Sequence, residues 1–98
     1  MKFLVILQGD GGQPLRRDEF ERAAYDAGEL VCGEVLADPQ LAVHMPDRAA
    51  PAAIDAYYLI DVESRERAVE LARLLPDSQT AGRSVEIRAV MHSTAADF

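Results

Sequence analysis

The chain has 98 residues, of which 49% are hydrophobic and 28% are charged, a composition typical of one globular domain. Its 17 acidic and 10 basic residues give a net charge of -7, which argues against the basic surface needed to bind nucleic acid or an anionic membrane. A single cysteine excludes an internal disulfide bond and a multi-cysteine zinc site.

The sequence shows no recognisable addressing signal. The apolar run at residues 3–8 is shorter than the hydrophobic region of a secretory signal peptide, and it ends in a glycine-rich turn instead of a cleavage site. No stretch approaches the roughly 18 consecutive apolar residues of a membrane-spanning helix. We therefore expect a cytoplasmic protein without a membrane partner, in which Cys32 stays reduced.

The first part of the chain predicts a strand and a helix. Residues 3–8 are too short for a helix and are closed by a glycine cluster, which is typical of a strand buried on both faces. A helix is predicted to begin at Asp18, because Asp18 and Glu21 have the spacing of a capping box, and to stop at Gly28. Its buried face consists of residues at helical spacing: Phe20, Ala23, Ala24 and Ala27.

Four or five further elements follow. Residues 29–36 predict a second strand, and residues 41–45 predict either a third strand or an extension of the second. Residues 56–62, AYYLIDV, form the clearest strand of the chain because aromatic and branched side chains dominate them. A second helix with Ser64 as its N-cap follows directly. Strict alternation of apolar and polar residues over positions 84–91 predicts the last strand.

The order βαββαβ predicts an α+β fold, a ferredoxin-like sandwich in which an antiparallel sheet carries two helices on one face. The domain is predicted to span residues 1–91, with residues 92–98 as a flexible tail. Because the helices cover only one face of such a sheet, the other face must be polar or buried by something else.

The uncovered face is predicted to mix apolar and charged side chains. Alternation places Glu86 and Arg88 on it, together with Glu34 of the second strand. Exposed patches of this kind mark interaction sites. We therefore expect a homodimer in which two sheets pack face to face and enclose these groups at low dielectric.

Four segments of the chain resemble the YCII-related family, in particular its DGPF-type branch. They cover more than half of the chain in the family's order and read MKFLVILQGD, DAGELVCGEVLADP, YYLIDVESRERAVELARLLP and SVEIRAVM. The resemblance implies a dimeric α/β barrel built on ferredoxin-like protomers. It also implies a His–Asp pair in a pocket as the suspected catalytic feature. One characterised relative is a dehydrochlorinase that acts on a chlorinated hydroxyquinol.

Two parts of the family pattern are missing. The family's histidine on the first helix would fall near Arg17, where no histidine stands. The DGPF turn before the penultimate strand is replaced by DRAAPAAI at residues 47–54. The family's catalytic pair therefore cannot be transferred to this chain.

His44 and Asp47 form the first candidate pair for catalysis. A histidine oriented by a carboxylate acts as a general acid or base near pH 7. These two residues lie three positions apart across a proline bend, so they are a possible substitute for the missing pair. The alternative interpretation is a solvent-facing histidine beside a turn aspartate, which is a routine turn residue.

Glu34, Glu86 and Arg88 form the second candidate. Arg88 would bind a carboxylate or phenolate, and a desolvated carboxylate beside it, such as Glu34, would move a proton. The alternative is a charge pair across neighbouring strands at the dimer seam. Tyr57 and Tyr58 are predicted to point to opposite faces, so at most one of them lines the cleft. Its hydroxyl would donate a hydrogen bond to an oxyanion. The alternative interpretation is an aromatic side chain that fills the core.

The remaining candidates are a basic pair and a thiol. Arg17 would contact an anionic ligand at the cleft mouth, or belong with Arg16 to a solvated pair before the first helix. Cys32 is interpreted as an inert buried thiol, and residues 77–83 as a polar loop. Two widely spaced histidines are not a metal-ligand pattern, and no cofactor is expected.

Three functional hypotheses result. In the first, a homodimer binds an aromatic or polyketide-like anion and catalyses proton transfer without a cofactor, as in isomerisation, elimination, cyclisation or decarboxylation. In the second, the protein is a non-catalytic accessory or ligand-sensing module, which the missing family residues favour. In the third, the acidic surface docks on a basic protein.

Overall fold

The structure, a computed structural model, describes residues 1–9, 15–46 and 53–94 of the chain. Within these ranges it contains four strands and two α-helices. Neither helix has the length and apolar character that crossing a bilayer demands. In chain order the elements are β1 (Lys2–Gly9), α1 (Asp18–Asp26), β2 (Leu30–Val35), β3 (Ile54–Asp61), α2 (Arg65–Ala72) and β4 (Arg83–Ala89).

The strands form one antiparallel sheet in the order β2–β3–β1–β4. This confirms the predicted α+β architecture, and it is compatible with a ferredoxin-like fold. β1 and β3 lie in the centre, whereas β2 and β4 form the two edges. As an inner strand, β1 pairs its backbone with β3 on one edge and with β4 on the other.

Both helices pack against the same face of the sheet. Phe3, Val5 and Leu7 of β1 point to that face and belong to one buried cluster with side chains of β3, α1 and α2. The helices contribute Phe20, Ala24, Ala68, Leu71 and Ala72 to this cluster. Since three of these five side chains are alanines, the helix backbones lie close to the sheet, and each buried Phe or Leu contributes ~1.5–3 kcal/mol of stability.

α1 begins at Asp18 and stops before Gly28, as predicted, but the predicted capping box is wrong. Asp18 is the first helical residue and not the cap, and Arg17 takes the N-cap position without a side-chain hydrogen bond to the helix. The guanidinium of Arg17 is instead engaged by Asp77. At the other end Gly28 has a φ of 71°, a left-handed conformation that glycine adopts without strain.

The strand predicted at residues 41–45 is wrong. Pro39–Leu41 forms a 3-10 turn, in which Asp38 accepts a hydrogen bond from the backbone N–H of Gln40 at 2.9 Å. The residues that follow it pair with none of the four strands. Prolines at both ends of this segment lack a backbone N–H and so limit its capacity to join a sheet.

The second half of the fold follows the sequence prediction more closely. Ser64 caps α2 and accepts a hydrogen bond from the backbone N–H of Arg67 at 3.1 Å. β3 begins two residues earlier than predicted, and β4 ends two residues earlier. Of the predicted tail, residues 92–94 are exposed, and the rest lies outside the described ranges.

Candidate functional site

The side of the sheet that faces away from the helices is the main candidate surface, and we call it the open face. Its members follow from the strand registers, because residues directly opposite each other in an antiparallel pair point to the same side. Two rows of side chains cross it from β2 to β4: Glu34–Tyr57–Ile6–Glu86 and Cys32–Leu59–Leu4–Arg88.

The open face has an apolar centre and polar edges. Leu4, Ile6, Tyr57 and Leu59 occupy its two inner strands, and no described helix covers them. Neighbouring side chains alone leave Ile6 only 7% exposed. An apolar centre inside a charged rim is the surface pattern that marks a partner or ligand site.

The three charged residues predicted for this face all lie on it, but not as one cluster. Arg88 donates a hydrogen bond from Nε to Oε2 of Glu86 at 2.6 Å along β4. Glu34 lies on β2, at the opposite edge, about 14 Å away at the spacing of neighbouring strands. The alternative of a pair between neighbouring strands is therefore wrong for Glu34, since two strands separate it from β4.

The two tyrosines point to opposite faces, as predicted. Tyr57 lies on the open face beside Glu34, whereas Tyr58 packs into the core with its ring centre 4.7 Å from that of Phe20. The hydroxyl of Tyr58 donates a hydrogen bond to Glu21. Burial, and then this bond to a carboxylate, raise the pKa of Tyr58 well above its usual value.

Replacing Tyr58 with phenylalanine should reduce the loss of stability at alkaline pH. The unfolded tyrosine loses its proton near pH 10, whereas folded Tyr58 keeps it. Its contribution is therefore complete below about pH 10 and declines above it, by up to ~1.4 kcal/mol per pH unit. Urea unfolding at pH 8 and pH 10.5 measures the difference. Equal alkaline losses in wild type and Tyr58→Phe would contradict this assignment.

A glycine on β2 makes room for the Tyr58 ring. A Cβ atom at Gly33 would lie 2.5 Å from Cδ1 of Tyr58, closer than real Cβ contacts. Glu21, Gly33 and Tyr58 also line a small cavity of about 160 Å³ at the edge of the sheet. Tyr58 is thus a core residue that reaches a small edge cavity, and it does not line the open face.

The most strongly buried charges lie elsewhere, in an ion-pair network at the N-terminal end of α1. Arg17 donates from Nε and from a terminal nitrogen to both carboxylate oxygens of Asp77, at 3.0 and 2.8 Å. The same nitrogen reaches Asp55 at 2.9 Å, and Arg83 binds Asp55 at 3.2 Å. Both guanidinium groups therefore pair with carboxylates, and the bond to Asp77 raises the pKa of Arg17.

This network corrects two sequence interpretations. The side chain of Asp77 is fully buried, although residues 77–83 were predicted as a polar loop. The side chain of Arg16 is 90% exposed, but that of Arg17 is only 8% exposed. The predicted solvated pair is therefore wrong, because only Arg16 is largely exposed to solvent. The 60 positions that separate Arg17 from Asp77 give no local sequence signal that would have identified their contact.

Removing Asp77 should destabilise the fold far more than removing an exposed aspartate. Asp77→Ala leaves a buried arginine with half of its partners, a change that costs about 3–5 kcal/mol. Asp61, whose side chain is 51% exposed and pairs only with the N-terminal amine, is the matched control. The urea concentrations at the unfolding midpoints of Asp77→Ala and Asp61→Ala measure the two losses of stability. If Asp77→Ala does not fold, the milder variant Asp77→Asn takes its place in the comparison. Equal losses at both sites would show that the network is not structural.

His44 lies beside a cavity at the surface of the protein. This surface cavity of about 560 Å³ is lined mainly by apolar side chains, among them Leu36 and Ile54, with His44 on its wall. Ile54 stands opposite Gln8 in the sheet, so the cavity begins where the open face ends. His44 itself is exposed and has no hydrogen bond to a described residue. Its predicted partner, Asp47, lies outside the described residues.

The thiol of Cys32 differs from its predicted environment. It is exposed and lies on the open face opposite Leu59, not buried in the strand interior. The register of β2 shifts between Leu30 and Cys32, which sends Leu30 to the core and Cys32 outward. Among the described residues, no group of three or more His, Cys, Asp or Glu side chains could hold a metal ion.

Comparison with known proteins leaves the family open. No family model, curated protein or solved structure matches the chain. The resemblance to the YCII-related family therefore rests on the residues quoted from the sequence and remains a prediction.

Proposed function

We propose that the protein is a YCII-like homodimer that binds an aromatic or polyketide-like anion at the open face and catalyses proton transfer on it without a cofactor. The observation that carries this proposal is the apolar centre of the open face, which the helices of the chain leave uncovered. Packing against a second copy removes this surface from water and creates a low-dielectric space between the two sheets.

The charges of the open face suggest the kind of ligand. Arg88 is the one cation in the two rows that cross the face, in a chain with a net charge of -7. A guanidinium beside apolar and aromatic side chains suits a flat organic anion, because it binds carboxylate or phenolate oxygens with two hydrogen bonds. Tyr57, in the next row, offers a ring for stacking and a hydroxyl for a developing oxyanion.

Glu34 and His44 are the groups proposed to move the proton. Glu34 lies on the open face without an ion pair to a described residue, so its carboxylate is available as a base. His44 lies on the wall of the adjoining cavity, and imidazole is the side chain that most often acts as a general acid or base. In the proposed reaction one group takes a proton from carbon, and another returns a proton to the product.

A second candidate is a non-catalytic binding or sensing module. Arg17 stands where the resemblance places the family's histidine, and its Nε and one terminal nitrogen are hydrogen-bonded to Asp77 and Asp55. A guanidinium held in this way exchanges no proton near neutral pH. The binding surface of the open face does not depend on it, so binding without turnover is compatible with the same geometry.

Binding of 8-anilinonaphthalene-1-sulfonate, an aromatic anion, should depend on Arg88. Arg88→Gln removes a charge-assisted hydrogen bond and should weaken binding about 10-fold or more. Arg22→Gln, on the exposed side of α1, is the control and should leave binding unchanged. Fluorescence titration measures both affinities. Equal affinity in all three proteins would refute a ligand site at the open face.

Catalysis is separated from binding by isotope exchange. With chlorohydroxyquinol as the probe in deuterium oxide, mass spectrometry should detect deuterium uptake or chloride loss beyond the rate without protein. Glu34→Gln and His44→Ala should reduce this rate more than they reduce affinity. Binding with no exchange above the blank would reject the enzyme and favour the non-catalytic module.

A further inference from the structure

The segment that follows β2 exposes apolar side chains at every second position. We call residues 41–45 the arm. Leu41, Val43 and Met45 are 75, 85 and 91% exposed, although all three are apolar. Ala42 and His44 line the cavity of about 560 Å³ together with Leu41, whereas Val43 and Met45 are not among its lining residues.

This alternation is the reverse of what an isolated protomer favours. A segment on the surface of a monomer ordinarily turns its apolar side chains to the body of the protein and its polar ones to water. Here Val43 and Met45 turn away from the cavity, while His44 turns to it. All five residues of the arm are exposed, and no described residue buries the side chains of Val43 and Met45.

We propose that a second copy of this chain covers the outward side of the arm, as an extension of the contact at the open face. The proposal rests on the homodimer proposed above and adds a residue-level interface to it. The two surfaces are continuous, because Leu36 and Ile54 connect the arm's cavity to the end of the open face.

The arm adds exposed apolar area to the open face. Leu41, Val43 and Met45 are each at least 75% exposed. A stable interface buries about 800 Å² on each partner. Since the apolar centre of the open face is already half-buried by its own neighbours, the arm supplies fully exposed apolar area that such an interface needs.

The charge distribution also favours a second copy at this place. Two copies that each carry a net charge of -7 repel one another wherever their acidic surfaces meet. Residues 39–46 contain no Asp or Glu, although the chain has 17 of them. The arm can therefore approach another copy without placing a carboxylate of its own in the contact.

This contact would make the His44 cavity a property of the dimer. Ala42 and His44 form one wall of the cavity, and the same backbone carries Val43 and Met45 on its other side. A partner that holds the outward side chains fixes the position of the wall. The cavity then binds its ligand in the dimer more tightly than in a separate protomer.

Sedimentation equilibrium of wild type, Val43→Glu and Tyr25→Glu tests the proposal. Tyr25 is 74% exposed on α1, in the layer opposite the open face, and is a matched control for the 85% exposed Val43. Circular dichroism establishes that each variant is folded. We expect a wild-type dimer, an unchanged dimer for Tyr25→Glu, and a dissociation constant at least 10-fold higher for Val43→Glu.

The possible failures differ for the two proposals. A dimeric wild type with an equally tight Val43→Glu dimer would overturn the arm contact and leave the dimer at the open face standing. A wild type that stays monomeric at 100 µM would overturn both. Equal weakening by Val43→Glu and Tyr25→Glu would show a general effect of added negative charge and would also reject the arm contact.

Discussion

The structure depends on one constraint: a four-stranded sheet has two faces, and the helices within the described ranges cover only one of them. β1 is apolar on both sides, with Phe3, Val5 and Leu7 toward the helices and Leu4 and Ile6 away from them. Covering the second side is worth ~25 cal/mol for each square ångström of apolar surface removed from water. The proposed dimer, the ligand site between the sheets and the arm contact all follow from this uncovered side.

A network of ion pairs stabilises the helix-covered side of the sheet in addition to apolar packing. Arg17, Asp55, Asp77 and Arg83 connect the start of α1, the start of β3, the turn after α2 and the start of β4. Breaking such a network leaves a charge without its partner at low dielectric, so its members are unsuited to a changing protonation state. We therefore assign this network to the stability of the fold, and the proposed chemistry to the open face.

Elements that depend on residues close together in the chain could be predicted from the sequence. The alternation of residues 84–91, the Ser64 cap and the glycine that ends α1 each depend on neighbours within a few positions, and the structure confirms them. The opposite orientations of Tyr57 and Tyr58 follow from the strand period in the same way.

Features that depend on distant contacts could not be predicted from the sequence. Asp77 has a residue type common in turns, and only its contact with Arg17 explains its burial. The exposed position of Cys32 results from a register shift in an edge strand. The arm has a strand's alternation, but the partner strand that the pattern requires is not among the described strands of the same chain.

The reactivity of Cys32 measures most directly whether the open face is covered. Cys32 is the chain's single cysteine, and its thiol is exposed on the open face of a protomer. A disulfide reagent such as 5,5′-dithiobis(2-nitrobenzoate) should therefore react slowly with concentrated protein and faster, by 10-fold or more, after dilution separates the copies. A rate that is independent of protein concentration and equal to that of the urea-unfolded chain would contradict a covered face.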